Sequence, residues 1–146
     1  RPAGRRAKVG PATKDAPLPL TKALQDREDS VRYAAVMALR NVDCDTAEAI
    51  AALTAAFADP VPRVRVGAIV TVGQLGLKAG PVVPALTRAL KDDEYTVRVQ
   101  ALNALGAIGP EAKAALPAVR DCLKDKNATV RLCAMRAVQK IAGEEK

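Results

Sequence analysis

The chain of 146 residues contains no histidine and no tryptophan, and its aromatic residues are one Phe and two Tyr. Without histidine, most zinc, haem and general-base sites lack their usual ligand or base. Ser30 is the single serine, and the sequence has neither a G-x-x-x-x-G-K-[ST] loop nor a G-x-G-x-x-G loop for phosphates. The three cysteines, Cys44, Cys122 and Cys133, form no C-x-x-C pair, and the last two are expected to be buried thiols. We therefore predict a protein that is not an enzyme and that holds no metal and no cofactor.

The net charge of +7 is concentrated at one end of the chain. Residues 1–14 carry five basic side chains and no acidic one, whereas the other 132 residues carry 18 basic and 16 acidic side chains. No apolar run approaches the roughly 18 residues that a membrane-spanning helix needs. The composition favours a soluble, cytoplasmic protein whose body is nearly neutral.

A pattern with a period of 33 residues runs through the chain. Val-Arg recurs at 31–32, 64–65, 97–98 and 130–131, and an Ala follows each of these Val residues by four positions. An Asp precedes each of them by five, which gives four Asp/Arg pairs: Asp26 and Arg32, Asp59 and Arg65, Asp92 and Arg98, Asp125 and Arg131. A fixed period of this length is the signature of a repeat protein.

Each copy contains two helical patterns separated by a short turn. Apolar residues follow the Val by 4, 7, 8 and 11 positions, with Thr71 of the second copy as the exception, and this spacing places them on one face of a helix. Second helices are predicted near 30–41, 61–75, 94–108 and 127–142, and Pro17 and Pro19 should shorten the first helix of the first copy. A helix pair this short buries its apolar side only by stacking on its neighbours. The predicted fold is an all-α solenoid, a superhelix of about four hairpins whose second helices line the inner face.

The third copy, Pro84–Gly109, reads P-x-L-x-x-x-L-x-D-x-x-x-x-V-R-x-x-A-x-x-A-L-G-x-I-G. This pattern resembles HEAT repeats, in particular the short bacterial kind that is similar to phycobilisome-lyase-like HEAT repeats. The resemblance covers residues 15–146, which we divide into repeats of about 15–47, 48–80, 81–113 and 114–146. It implies that the Asp/Arg pairs form a hydrogen-bonded ladder between turns. From the residues alone, each Asp could cap the second helix and each Arg could bind turn carbonyls.

Residues 1–14 have two possible interpretations. They form a basic N-terminal tail, or they are the remnant of a preceding repeat. The second interpretation rests on Val9-Gly10-Pro11 and Lys14, which repeat Ile108-Gly109-Pro110 and Lys113 at a distance of three periods.

A second apolar stripe runs along each second helix, opposite the first. Positions 2, 5, 6 and 9 after the Val lie about 140–240° around the helix from it. All eight residues at positions 2 and 5 are apolar, as are two at position 6: Tyr33, Val36, Met37, Val66, Ile69, Val70, Val99, Leu102, Leu132 and Met135. An extended apolar stripe on an inner surface is typical of a protein-binding site. The alternative is that neighbouring helices bury position 5.

These observations favour a non-catalytic protein–protein interaction scaffold, or a subunit of a larger complex, that binds a partner polypeptide along its inner face. A bilin-lyase-like role in handling tetrapyrroles is implied by the resemblance alone. Arg40 and Arg136, the cations available for its propionates, lie three repeats apart. Because these are also the only basic residues on the inner face, nucleic-acid binding would depend on the basic tail.

The two ends of the array differ in composition. A repeat array needs a polar cap at each end. Gln139, Lys140 and the polar segment 143–146 predict such a cap at the C-terminal end. Leu18, Leu20 and Leu24 would face solvent at the other end, so we expect association with a further repeat or a partner subunit through this uncapped N-terminal end.

Overall fold

The computed structural model of the chain describes residues 17–42, 46–75 and 79–143. These residues contain no strand and form four helical hairpins, which confirms the predicted all-α repeat architecture. The hairpins are α1 (Pro17–Ala23) with α2 (Asp29–Asn41), α3 (Ala47–Ala55) with α4 (Pro62–Leu75), α5 (Ala79–Ala89) with α6 (Tyr95–Ile108), and α7 (Leu116–Asp121) with α8 (Ala128–Ala142). The basic segment 1–14 and Cys44 lie outside the described residues.

The second helices, α2, α4, α6 and α8, begin and end within one residue of their predicted bounds. Local residues set these bounds. Asn127 precedes α8, and its side-chain oxygen accepts hydrogen bonds from the N–H groups of Thr129 and Val130. Gly109 and Gly143 follow α6 and α8 with φ angles of +76° and +74°, which glycine adopts without a steric penalty. At the start of the array, α1 is only seven residues long, as the two prolines predicted.

The predicted apolar positions form one continuous core. Val64, Val97 and Val130 are fully buried, and Leu53 and Leu86 from the first helices pack against the same core. Consecutive second helices pack on one another more extensively than consecutive first helices do. The second helices therefore supply most of the packing between neighbouring repeats.

The Asp/Arg ladder joins each turn to the turn of the next repeat. Three ion pairs connect residues that are 27 apart, with N–O distances of 2.7–2.8 Å: Arg32–Asp59, Arg65–Asp92 and Arg98–Asp125. Each of these arginines also binds its own turn, as Arg98 does by donating from Nη1 to the carbonyl oxygens of Asp92 and Asp93. Charge-assisted hydrogen bonds of this kind are stronger than neutral ones, so the ladder fixes neighbouring repeats to each other.

One interpretation of the sequence expected each Asp to cap the second helix of its repeat. In the structure the aspartates do not cap these helices. Asp92 Oδ1 accepts from the N–H of Glu94, and Asp125 Oδ1 accepts from the N–H of Asn127, at 2.9 and 2.8 Å. Glu94 and Asn127 are themselves the N-cap residues of α6 and α8. Each Asp therefore closes the turn in front of the helix, because it lies too early in the chain to reach the first free N–H groups of the helix.

The fifth position after each Val belongs to the core between repeats. Val36, Ile69 and Leu102 are 0% exposed. The second helix of the following repeat packs against each of α2, α4 and α6, and Gly67 of α4 lies in contact with Val36. A partner bound on the inner surface would not touch these three residues, so our expectation of contact there is corrected in favour of the packing alternative.

The ends of the stack differ from the expected polar and apolar ends. Leu24 is buried at 7% exposure and Leu20 is half-buried, because α1 packs against both α2 and α3, and the side chain of Leu18 lies outside the described residues. At the other end, Leu132 and Met135 are 45% and 54% exposed. Gln139 and Lys140, which were predicted to form a polar cap, are exposed on the same helix, so the C-terminal end presents both polar and large apolar side chains.

Cys122 and Cys133 are buried free thiols, as their helical positions predicted. Burial raises the pKa of the Cys122 thiol, because an apolar environment disfavours the thiolate. A protonated thiol of this kind is a poor nucleophile.

Candidate protein-binding groove

A groove of about 390 Å³ lies between α2 and α4 on the row of second helices. Its apolar lining consists of Tyr33, Met37, Pro62, Val66, Gly67 and Val70, and its polar lining consists of Arg40, Arg63 and Thr96. It therefore combines an apolar floor with two guanidinium groups and no carboxylate among the residues that line it.

Gly67 allows α2 and α4 to approach closely at the floor of the groove. A Cβ atom at this position would lie 3.2 Å from Val36 Cγ1 and 3.2 Å from Met37 Cε. It would also lie 3.5 Å from Cε1 of Tyr33. The absent side chain thus leaves the space that Met37 and Tyr33 occupy.

Arg63 forms one edge of the groove. Its guanidinium carbon lies 4.9 Å from the centroid of the Tyr33 ring, a distance at which a cation is attracted to the face of an aromatic ring. Arg63 also pairs with Asp29 at 3.2 Å, although both side chains are about half exposed. An exposed pair of this kind contributes little to stability, so Arg63 remains available to a partner.

Arg40 carries the one lining atom of this groove that is buried and has no hydrogen-bond partner in the described part of the chain. That atom is its Nε. An unpaired buried donor of this kind is unfavourable by about 1–3 kcal/mol. The guanidinium group of Arg40 borders the apolar floor, and its positive charge would attract a carboxylate.

The predicted partner-binding residues fall into four groups in the structure. Tyr33, Met37, Val66 and Val70 line the groove together. Val36, Ile69 and Leu102 are buried between repeats. Val99 is half-buried one repeat further along, and Leu132 and Met135 are exposed on the last helix.

Arg63 and Thr96 line the groove but were not among the predicted residues, although the sequence contains a signal for both. Each residue directly precedes the Val of its repeat, and a residue at that position lies about 260° from the Val around the helix. This angle is adjacent to position 6, which holds Met37 and Val70. Extending the second stripe by one position would have included both residues.

Neither a metal-binding group nor a membrane-spanning helix is found in the part of the chain that the structure describes. No group of three or more His, Cys, Asp or Glu side chains is placed to hold a metal ion. None of its helices combines the length and the apolar character that crossing a bilayer requires.

Solved structures with the same fold include natural and designed repeat proteins. A designed armadillo repeat protein in complex with the peptide (KR)4 superposes with a TM-score of 0.71 at 22% identity, over 84% of this chain and 63% of that one. Human deoxyhypusine hydroxylase in complex with glycerol gives a TM-score of 0.71 at 30% identity, over 87% of this chain and 43% of that one. The complex of CpcE and CpcF of phycocyanin lyase from Nostoc sp. PCC7120 gives a TM-score of 0.59 at 22% identity, over 87% of this chain and 65% of that one.

These comparisons concern the fold and part of each relative's length, since the chain spans 43–65% of the three proteins. No curated protein sequence matches the chain significantly. The family model of HEAT repeats matches residues 17–98 and 83–146. Because these matches together cover well over half of the sequence, the chain belongs to the HEAT-repeat family.

Proposed function

We propose that this chain is a non-catalytic scaffold that binds a partner polypeptide in the groove between α2 and α4. The single observation that carries the proposal is the groove's lining, in which apolar side chains form the floor and Arg40 and Arg63 supply positive charge. Apolar burial provides affinity, and a few convergent polar groups fix the orientation of a ligand. The fold is consistent with this role, since similar designed armadillo proteins bind peptides.

The charge of the groove determines which polypeptide fits it. The designed relative was solved with the basic peptide (KR)4. Here the charged lining residues are both arginines, so a basic peptide would be repelled and an acidic one attracted. The partner segment we propose carries an apolar side chain for the floor and an Asp or Glu next to it for Arg40.

Selection from a library of random peptides displayed on phage tests this proposal. Peptides selected on the wild-type protein should be enriched in an apolar residue beside an Asp or Glu. Their affinity, measured by calorimetry, should fall by about tenfold or more in Val70→Glu, because a carboxylate would enter the floor of the groove. Arg40→Gln should weaken binding and reduce its dependence on salt.

Asn103→Glu is the matched control, because Asn103 occupies the position of Val70 in the next repeat and is exposed. Ile69 is unsuitable for substitution, since it is fully buried and its loss would unfold the repeat. Selected peptides without acidic residues, or equal binding by the Val70→Glu and Asn103→Glu variants, would contradict the proposal.

Tetrapyrrole binding is a second candidate, favoured by one observation that residue spacing did not reveal. Arg40 and Arg63 line the same groove and could bind two propionates there, whereas Arg136 lies on α8, three repeats from Arg40. The structural similarity to the CpcE and CpcF complex is consistent with this role. An absorbance titration with biliverdin, repeated on Arg40→Gln, distinguishes it: an unchanged spectrum excludes this candidate and leaves peptide binding unaffected.

A further inference from the structure

The last second helix, α8, exposes a face that the following repeat covers everywhere else in the array. At the fifth position after the Val, Val36, Ile69 and Leu102 are 0% exposed, whereas Met135 is 54% exposed. Leu132, on the same face, is 45% exposed. This face has the composition of an interface between repeats, and no described element of the chain packs on it.

The same end carries the last arginine of the ladder. Arg32, Arg65 and Arg98 each bind the Asp of the following repeat. Arg131 occupies the equivalent position and donates to the carbonyl oxygen of Asp125 at 2.7 Å, but no carboxylate binds it among the described residues. Its side chain is exposed and its guanidinium remains available to an acidic group.

The first hairpin presents the complementary half of such an interface. Asp26 accepts the N–H of Glu28 at 2.9 Å and, within the described residues, lacks the arginine that binds every later Asp of the ladder. Val31 is 37% exposed, whereas its equivalents Val64, Val97 and Val130 are fully buried. The surface that a preceding repeat would cover is thus partly open on α2.

Charge also distinguishes the two ends. The outer end of the last hairpin exposes Arg131 and Arg136, and the turn before α2 exposes Asp26 and Glu28 on either side of Arg27. Inside the array, each ladder Arg pairs with the Asp 27 residues later. If a second copy continued the array with its own four 33-residue repeats, the Asp in that position after Arg131 would be Asp26 of the second copy. The two ends therefore fit in register, and the two residues that this register brings together, Arg131 and Asp26, are opposite in charge.

We propose that two copies of this chain stack head to tail, so that Arg131 of one copy pairs with Asp26 of the next. Leu132 and Met135 would pack against the exposed side of α2 around Val31, as position 5 does inside the array. This interface is heterologous and leaves one open end on each side, so assembly continues with concentration instead of stopping at a dimer. It is separate from the groove, so it does not depend on the proposed partner.

Sedimentation velocity on the full chain at increasing concentration tests the proposal. The wild-type protein should show a mean mass that rises with concentration above the monomer mass of 15.3 kDa. Arg131→Asp and Asp26→Arg should each stay monomeric, because either change places like charges at the junction. An equimolar mixture of the two variants should associate again, because each junction between a copy of one variant and a copy of the other pairs opposite charges.

Arg88→Asp is the control, since it makes the same change in net charge on an exposed side chain of α5 within the array. It should associate as the wild type does, and thermal unfolding should show that all the variants are folded. Met135→Ser adds an uncharged test and should weaken association by about tenfold or more. A monomeric wild type at every concentration would overturn the proposal. So would charge variants that associate normally, or a mixture that fails to associate.

Discussion

Arg98 and Asp125, 27 residues apart, form a two-pronged ion pair across the junction between the last two repeats. Nε donates to Oδ2 at 2.8 Å and Nη2 donates to Oδ1 at 2.9 Å. Both side chains are largely buried, with 7% and 12% of their surface exposed. Paired geometry of this kind places strict demands on the spacing of the two turns, so the ladder sets the register between repeats as well as binding them.

Arg98→Ala should lower the free energy of unfolding by about 3 kcal/mol, because it leaves the Asp125 carboxylate buried without its cation. Arg131→Ala provides a matched control at the same position of the last repeat. Its effect should be about 1 kcal/mol or less, since Arg131 is exposed and gives up one hydrogen bond. Urea unfolding at low protein concentration measures both, and equal effects would mean that the pair does not stabilise the junction.

The stability of the chain should fall in acid partly through Asp125. Burial by itself would raise the pKa of this carboxyl, but the hydrogen bond from Arg98, the N–H of Asn127 and the charges of Arg98 and Lys126 outweigh it, so the pKa lies below its ordinary value. The unfolded chain therefore binds the proton first as the pH falls. The contribution is complete above the pKa of an unfolded Asp, about 3.9, and is lost as the pH falls through the lower folded-state pKa.

Thermal unfolding between mildly acidic and strongly acidic pH measures this contribution. Asp125→Asn should be less stable than the wild type above the unfolded pKa, and the difference should shrink as the pH falls. A difference between the two proteins that stays constant with pH would show that the Asp125 charge is not linked to folding.

Leu102 and Met135 occupy the same position of consecutive repeats and should respond differently to truncation. Leu102→Ala should lower the free energy of unfolding by about 3–5 kcal/mol, because it leaves a cavity in a fully buried site. Met135→Ala should change it by about 0.5 kcal/mol or less at low concentration, because Met135 is 54% exposed. Chemical denaturation of the two variants provides the comparison, and a large loss in Met135→Ala would indicate that its face is covered in the monomer.

Gly73 and Gly67 both lie within α4 but differ in the space around them. A Cβ at Gly73 would meet Ala104 Cβ at 3.8 Å, an ordinary contact, so Gly73→Ala should raise the free energy of unfolding by about 0.5–1 kcal/mol through helix propensity. Gly67→Ala should gain less or lose stability, because Val36 Cγ1 and Met37 Cε would lie 3.2 Å from the new atom. Thermal melts of both variants decide the order, and a greater gain at Gly67 would show that α2 and α4 separate easily.

Much of the fold could be predicted from the sequence, because it depends on local spacing. Residues that recur with the helical period share a face whatever surrounds the helix, so the bounds of α2, α4, α6 and α8 agree with the prediction within one residue. The 33-residue period likewise fixed the four-hairpin stack and placed each Asp and Arg of the ladder in a turn or at a helix start. These conclusions require only the geometry of a single helix and the need to bury its apolar side.

Which neighbour covers a face was decided only by the tertiary structure. The second stripe has the same apolar pattern in every repeat, yet stacking buries Leu102 completely and leaves Met135 exposed. The close approach at Gly67 brings Arg63 of α4 over Tyr33 of α2, a contact between residues 30 apart in the chain. Spacing within a helix determines the direction in which a side chain points, but the packing of separate helices determines whether it meets a neighbour, a groove or solvent.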